Sequence, residues 1–173
     1  SGVGQRKSSL IVHRVGGVDA RWGDAQSRNL SYCVSTTFGT RYDQVVQALA
    51  SATAAWESAG RVRFYHRFDQ DGACDASNSS VVFDVRPTSG QPYLARAFFP
   101  SDARAQRNIL IDGTSFTVSP PWTLGGILRH ELGHAIGFRH EHTRPESGVC
   151  YEDSSWRALT TYDSASVMHY PSC

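Results

Sequence analysis

The motif HELGHAIGFRH has the residue types and the spacing of a catalytic metal centre. His130 and His134 are four residues apart, so on a helix both imidazoles leave the same face and can bind one ion. Glu131 is the next residue around that helix, close to the ion without having to bind it. His140 follows six residues after His134, so it reaches the ion only if the helix ends between them. Gly137 suits that break, because glycine readily adopts left-handed backbone at a helix end.

Three neutral imidazole nitrogens on a tetrahedral Zn²⁺ leave one position open for water, which is the arrangement of a catalytic zinc site. Zinc lowers the pKa of a bound water from 15.7 toward ~7. Glu131 would take the proton as the water attacks a peptide carbonyl, and would then pass it to the leaving amine. The alternative is an amphipathic helix with surface histidines, but such a helix needs neither Gly137 nor His140. The motif therefore predicts one catalytic zinc ion held by His130, His134 and His140, with Glu131 as general base.

A second segment, SVMHY at 166–170, contains the only methionine of the chain. Together with the zinc motif, and with GFRHEHTR around the third histidine, it resembles the metzincin metallopeptidases, and among them the astacin family and its bacterial relatives. The resemblance covers residues 128–144 and 164–170. It implies that Met168 forms the Met-turn, an apolar base under the zinc. It also implies that Tyr170 is a further zinc ligand that swings to stabilise the oxyanion; without the resemblance, Met168 is a core residue and Tyr170 a surface aromatic.

Glu141 follows the third histidine, as a glutamate does in astacins. By that resemblance it would receive the amine of the mature N-terminus in a buried salt bridge. Pairing with a nearby arginine such as Arg144 is the alternative, and the sequence leaves both open.

The metzincin resemblance also implies an edge strand above the cleft that pairs with extended substrate by strand addition. The candidate is the end of the predicted strand 93–99, and the alternative is an ordinary strand at a sheet edge. The residues concerned are Ala95, Arg96, Ala97, Phe98 and Phe99.

Hydrophobic periodicity predicts the elements that position these residues. A helix is expected over 42–58, stopped by Gly60, and a second from Ser119-Pro120-Pro121 to about Gly137. Strands are expected over 29–35, 61–67, 80–85, 93–99 and 108–112. These patterns favour the α+β class: a mixed twisted sheet with two long helices, metzincin-like by resemblance. The prediction is one catalytic domain over 1–173, with an upper subdomain over 1–137 and a short, loop-rich lower subdomain over 138–173.

The four cysteines, in an even count at long spacing, favour two disulfides and therefore an exported protein over buried thiols in a cytosolic one. Three connectivities are open. We favour Cys33 with Cys74 and Cys150 with Cys173, because each pair closes within one half of the chain.

Composition excludes other classes of function. The net charge of +1, from 17 basic and 16 acidic residues without a block of like charge, does not indicate nucleic-acid binding. No apolar run approaches the ~20 residues of a membrane-spanning helix. The expected partner is a polypeptide substrate of a monomeric enzyme, with a propeptide or protein inhibitor as a further candidate.

The sequence therefore predicts a secreted zinc endopeptidase that cleaves extended polypeptides. The alternatives are a catalytically silent zinc-binding module and a zinc hydrolase of small amides or peptide ends. Glu131 argues against the silent module, which could lose this acid and keep its metal. A strand long enough for extended substrate argues against the exopeptidase.

Overall fold

A five-stranded mixed sheet carries the larger part of the structure, a computed structural model that describes residues 10–148, 150 and 152–170. Four of its strands run parallel to one another, and the fifth lies antiparallel at one edge. The spatial order is β4 (Phe64–His66), β3 (Leu30–Val34), β5 (Phe83–Thr88), β7 (Asn108–Asp112) and β6 (Ala95–Arg96). Together with the helices, this confirms the α+β class and the mixed sheet.

Two long helices pack together beside this sheet. The 18-residue α2 (Tyr42–Ala59) confirms the predicted first helix, and the 12-residue α3 (Leu124–Ala135) carries the zinc motif. The apolar sides of α2, α3 and the sheet share one hydrophobic core. A short helix α1 (Asp24–Ser27) precedes β3. Short stretches of 3₁₀ helix cover Thr36–Arg41, Phe68–Ala73, Arg104–Gln106, Gly113–Phe116, Glu141–Thr143 and Pro145–Ser147.

A small antiparallel sheet, which the sequence analysis did not anticipate, ties the start of the described chain to its end. It consists of β2 (Val18–Asp19), β1 (Ile11–Val15) and β8 (Trp156–Ala158), with β1 in the middle. Gly16 and Gly17 form the β1–β2 turn, both with positive φ. A Gly-Gly pair between two apolar residues is a hairpin signal that could have revealed this element.

Four predicted boundaries are wrong. The strand predicted over 61–67 is confined to β4, Phe64–His66. The second long helix begins at Leu124 and not at Ser119, because the Thr123 side chain caps it by accepting a hydrogen bond from Gly126 N at 3.0 Å. The strand predicted over 80–85 runs over Phe83–Thr88. The strand predicted over 93–99 is reduced to β6, because the chain turns at Phe99, whose backbone N and O both bond Asp102.

Cys33 of β3 and Cys74 form a disulfide, as favoured from the sequence. The second favoured pair includes Cys173, which lies outside the described residues, so that pair stays a prediction. Among the described residues no helix is both long and apolar enough to cross a membrane.

The packing between α3 and the Met-turn segment is tight at Gly133. A Cβ at this position would lie 2.3 Å from Met168 Sδ and 3.0 Å from Trp56 Cζ2. Both neighbours are buried, so neither has free space to move into.

We therefore expect Gly133→Ala to lower the free energy of unfolding by about 1–3 kcal/mol, the usual cost of overpacking a core. Gly125→Ala on the same helix is the matched control, since a Cβ there meets nothing within 4 Å; its stability should be unchanged or slightly raised. Urea midpoints of both variants measure the difference. Equal midpoints would contradict the tight packing.

Candidate metal centre

Helix α3 presents His130, Glu131 and His134 together. Helical spacing places the two histidines one turn apart on one face, with ring centroids 4.8 Å apart. Trp56 of α2 holds α3 in place through a hydrogen bond that its Nε1 donates to Arg129 O at 2.8 Å. His130 and Glu131 are buried, and His134 is partly buried.

The helix ends in a turn that returns the chain toward the two histidines. Gly137 has φ +112°, Phe138 N donates to Gly133 O, and Gly137 N donates to His134 O, both at 2.9 Å. This pair of bonds is the Schellman motif. A Cβ on Gly137 would lie 2.4 Å from Ala20 O, so both the backbone angle and the space require glycine. The turn brings His140 back beside α3, with its ring centroid 4.6 Å from that of His134.

All three imidazoles carry their proton on Nδ1. His130 Nδ1 donates to Val167 O at 2.7 Å, His134 Nδ1 to Phe138 O at 2.8 Å, and His140 Nδ1 to Glu152 Oε1 at 2.6 Å. In the neutral form of each ring, which is the form that binds metal, this leaves the lone pair on Nε2. The three Nε2 atoms converge: that of His134 lies 3.2 Å from that of His130 and 3.1 Å from that of His140.

Three lone pairs at this separation suit a shared cation. Unprotonated nitrogens cannot hydrogen-bond to one another, so their close approach is favourable only around a positive ion. Zn–N bonds of about 2.0–2.1 Å in tetrahedral geometry place ligand nitrogens about 3.3 Å apart. The donor set His130, His134 and His140 therefore fits a zinc ion.

Burial keeps His130 and His134 in the neutral form that binds metal. Burial and the neighbouring His140 lower the pKa of His130 to about 4, and burial with both other histidines lowers the pKa of His134 well below its usual value. Both rings are neutral at pH 7, the form that binds metal. Burial also raises the pKa of Glu131 to about 8, which marks this carboxyl as a group able to hold a proton near neutral pH.

Glu152 is the site residue that the sequence analysis missed. Its Oε1 accepts the His140 bond and lies 3.5 Å from His142 Nε2, while its Oε2 is 2.5 Å from Arg139 Nη2. Burial alone would raise the pKa of Glu152, but hydrogen bonds from the two histidines and Arg139 hold it well below its usual range. Glu152 lies in the irregular tail without a motif around it, so no local signal singled it out.

Tyr170 lies against two of the three histidines, and Met168 lies beneath the helix that carries His130 and His134. The Tyr170 ring is 4.6 Å from the His140 ring and 5.2 Å from that of His130, centroid to centroid. Burial, with the charges of Glu131 and Glu152, raises the pKa of Tyr170 to about 12, so the phenol keeps its proton. Met168 is fully buried beneath α3.

Glu141 is fully buried and pairs with Arg144, whose Nε lies 2.9 Å from Glu141 Oε1. It also accepts a hydrogen bond from Asp163 N at 3.2 Å. Its second predicted partner, the amine of Ser1, lies outside the described residues.

Only part of the predicted substrate strand is a strand. Ala95 and Arg96 form β6, at the edge of the sheet. Phe98 turns into the core against Phe83, whereas Ala97 and Phe99 line a cavity next to His134.

Comparison with known proteins gives one matching family model and several relatives. The model described as "Dual-action HEIGH metallo-peptidase" matches residues 23–154. Bone morphogenetic protein 1 of Xenopus laevis is 34% identical over 134 residues, covering 66% of this chain and 16% of that protein. A bone morphogenetic protein 1 homolog of Strongylocentrotus purpuratus is 39% identical over 64 residues, 26% of this chain and 10% of that protein. High choriolytic enzyme 2 of Oryzias latipes is 36% identical over 62 residues, which cover 26% of this chain and 22% of that protein. The chain therefore spans less than a quarter of the length of these relatives.

We expect Glu152→Ala to weaken zinc binding about 10- to 100-fold, as loss of a carboxylate behind a histidine ligand usually does. Asp153→Ala is the matched control: Asp153 also pairs with Arg139, at 2.5 Å, but has no bond to His140. Competition with a chelator measures both dissociation constants. Equal losses in the two variants would assign the effect to Arg139 and contradict the role of Glu152.

Proposed function

We propose that this chain, which belongs to the dual-action HEIGH metallopeptidase family, hydrolyses internal peptide bonds of extended polypeptides. Its membership, and its likeness to bone morphogenetic protein 1, make it a metzincin-type zinc metallopeptidase that acts on polypeptides. The observation that carries the finer proposal is the convergence of three Nε2 atoms in a cleft that the buried Glu131 also lines. Among the described residues, β6 beside this cleft pairs with a strand on one side only.

His130, His134 and His140 would hold the zinc ion, with Tyr170 as an additional ligand. When bound, zinc supplies a Lewis acid that polarises the substrate carbonyl and acidifies water. The Nδ1 bonds of the three histidines keep the rings in position, so little reorganisation is needed when the ion binds.

Glu131 is the proposed general base. Its carboxylate accepts a proton from the attacking water as the water oxygen bonds to the carbonyl carbon. The same proton then passes to the amine nitrogen as the C–N bond breaks. Burial raises the pKa of Glu131, which favours the protonated carboxyl after it has taken the proton from water. A cation next to Glu131 would favour the ionised carboxylate before the reaction begins.

Tyr170 is the proposed donor to the oxyanion. Its pKa of about 12 keeps the O–H available at neutral pH, and its ring lies against two of the three ligand histidines. A neutral phenol that donates a hydrogen bond stabilises the developing negative charge on the carbonyl oxygen.

Cleavage within a chain, instead of at its ends, is supported by the shape of the cleft. One cavity adjoins His130 and Glu131 and another adjoins His134 and His140, and among the described residues β6 has a partner strand on one side only. A substrate can therefore extend past the cleaved bond in both directions.

We further propose that the protein is secreted, a single catalytic domain and monomeric. The Cys33–Cys74 disulfide supports an oxidising compartment. The β1–β8 pairing supports one domain, because it joins residues 11–13 to the tail.

Glu131→Gln should lower the rate of cleavage of an unfolded protein by about 10²–10⁴-fold while the protein still holds one zinc ion, because the variant keeps the ligands and loses the base. Glu146→Gln, a change at an exposed glutamate outside the centre, is the control and should cleave normally. Metal analysis and gel-based cleavage give the two readouts.

Mass spectrometry of the products distinguishes the alternatives. Internal fragments support an endopeptidase, whereas stepwise loss of end residues would replace it by an exopeptidase. If the zinc-loaded parent protein cleaves no substrate, the catalytically silent zinc-binding module is the remaining interpretation.

Tyr170→Phe should reduce kcat by about 10²-fold or more with a small change in KM, because a donor to the oxyanion acts mainly in the transition state. Steady-state kinetics on one peptide measure both constants. A rise in KM at constant kcat would instead make Tyr170 a residue that binds substrate.

A further inference from the structure

Two buried histidines next to Tyr170 are not among the three converging imidazoles. His142 is 2% exposed and His169 is 8% exposed, and their rings are nearly perpendicular, with centroids 5.6 Å apart. An imidazole has two polar nitrogens, and burying them is unfavourable unless they are hydrogen-bonded. The partners of these nitrogens therefore indicate what the two rings do.

His142 holds the backbone nitrogen of Tyr170. Its Nδ1 accepts a hydrogen bond from Tyr170 N at 3.2 Å, since a backbone N–H can only donate. The two rings also lie against each other, with centroids 4.8 Å apart. His142 therefore contacts Tyr170 at both its peptide group and its ring.

His169 holds the carbonyl group of the same residue. Its Nδ1 donates to Tyr170 O at 2.8 Å, because a carbonyl oxygen can only accept. The other nitrogen, Nε2, lies 2.9 Å from the Tyr162 hydroxyl, which can donate to it. Tyr170 itself lies outside any helix or strand. The two histidine side chains thus supply the partners that regular secondary structure supplies elsewhere.

The ring of His142 also contacts the third histidine of the metal centre. It stacks on the His140 ring, with 4.6 Å between centroids and 20° between planes. Its Nε2 lies 3.5 Å from Glu152 Oε1, the oxygen that accepts the bond from His140 Nδ1. One carboxylate therefore contacts both the ring that would bind zinc and the ring that holds Tyr170.

We propose that His142 and His169 are positioning residues, which hold the peptide groups of Tyr170 and thereby keep its phenol at the metal centre. The inference rests on the proposed function, in which the Tyr170 O–H donates to the oxyanion. Such a donor stabilises the transition state only if it lies where the negative charge develops. Irregular backbone alone would allow the phenol to move away, whereas bonds to two buried rings restrict it.

Kinetics of the zinc-loaded protein give the first test. His142→Phe keeps a ring of similar size and removes both nitrogens. We expect it to lower kcat by about 10- to 100-fold with KM changed less than about threefold, because a misplaced donor affects mainly the transition state. His142→Asn should recover most of kcat, since its amide oxygen can accept the bond from Tyr170 N.

A double-mutant cycle separates positioning from a general loss of structure. If His142 acts through the phenol, His142→Phe should change kcat by less than about threefold in a protein that already carries Tyr170→Phe. The same result is expected for His169→Phe, which removes the donor to Tyr170 O and gives an independent variant should His142→Phe not fold. A structural role would lower kcat by the same factor in both backgrounds.

Amide hydrogen exchange in the zinc-loaded protein tests the bond without reference to cleavage. The Tyr170 amide should exchange at least about tenfold faster in His142→Phe than in the parent, and at nearly the parent rate in His142→Asn. His66→Phe is the matched control. His66 is nearly buried on β4, at the opposite edge of the sheet from β6, and bonds Asp71. Its replacement should change neither the exchange of the Tyr170 amide nor kcat.

The outcomes distinguish the inference from the function on which it rests. Equal losses of kcat in the two backgrounds, or unchanged exchange of the Tyr170 amide in His142→Phe, would overturn the inference while the endopeptidase function stands. A Tyr170→Phe variant as active as the parent would remove the role of the phenol and the inference with it. A zinc-loaded parent that cleaves no unfolded protein would overturn the function and the inference together.

Discussion

The centre depends on the turn at Gly137 more than on any single ligand. Two histidines on one helix face form only part of a metal site, and the third must come from chain that has reversed direction within six residues. A positive φ and an approach of 2.4 Å between a would-be Cβ and Ala20 O leave glycine as the residue that fits. The same turn presents Phe138 O to His134 Nδ1, so one backbone conformation delivers the third ligand and orients the second.

The centre also depends on which ring nitrogen of each histidine carries the proton. Backbone carbonyl groups determine this for two of the three histidines. Two of the three histidines donate Nδ1 to carbonyl oxygens and the third to Glu152, so each Nε2 is directed to the same point. These acceptors come from the Met-turn, the helix end and the tail. The fold therefore builds the centre at a junction of segments that are distant in sequence, and the chemistry at one ligand depends on the packing of all of them.

The zinc motif, α2 and the α+β class were predictable because each has a local signature: fixed spacing, helical periodicity or a strand pattern. Glu152 and the β1–β8 pairing were not, because they are contacts between distant segments that no short pattern encodes. The edge strand shows an intermediate case. Its apolar run is visible in the sequence. The strand nevertheless ends at Arg96, because Asp102 binds the backbone of Phe99 and Phe98 is buried in the core. Pro120 and Pro121 suit a first helical turn, but α3 begins after them because Thr123 supplies the side-chain cap.

The central strand of the small sheet has a consequence for how the protein is made. His13 N donates to Gly137 O and Arg139 N to Ile11 O, while residues 11–13 also pair with residues 156–158. Such pairings have very high contact order, and chains that rely on them fold slowly. During synthesis β1 is made first, and it cannot pair with residues 137–139 or with residues 156–158 until those segments have been translated. The surroundings of the third histidine can therefore be completed only after every strand of the five-stranded sheet has left the ribosome, since that sheet ends at Asp112.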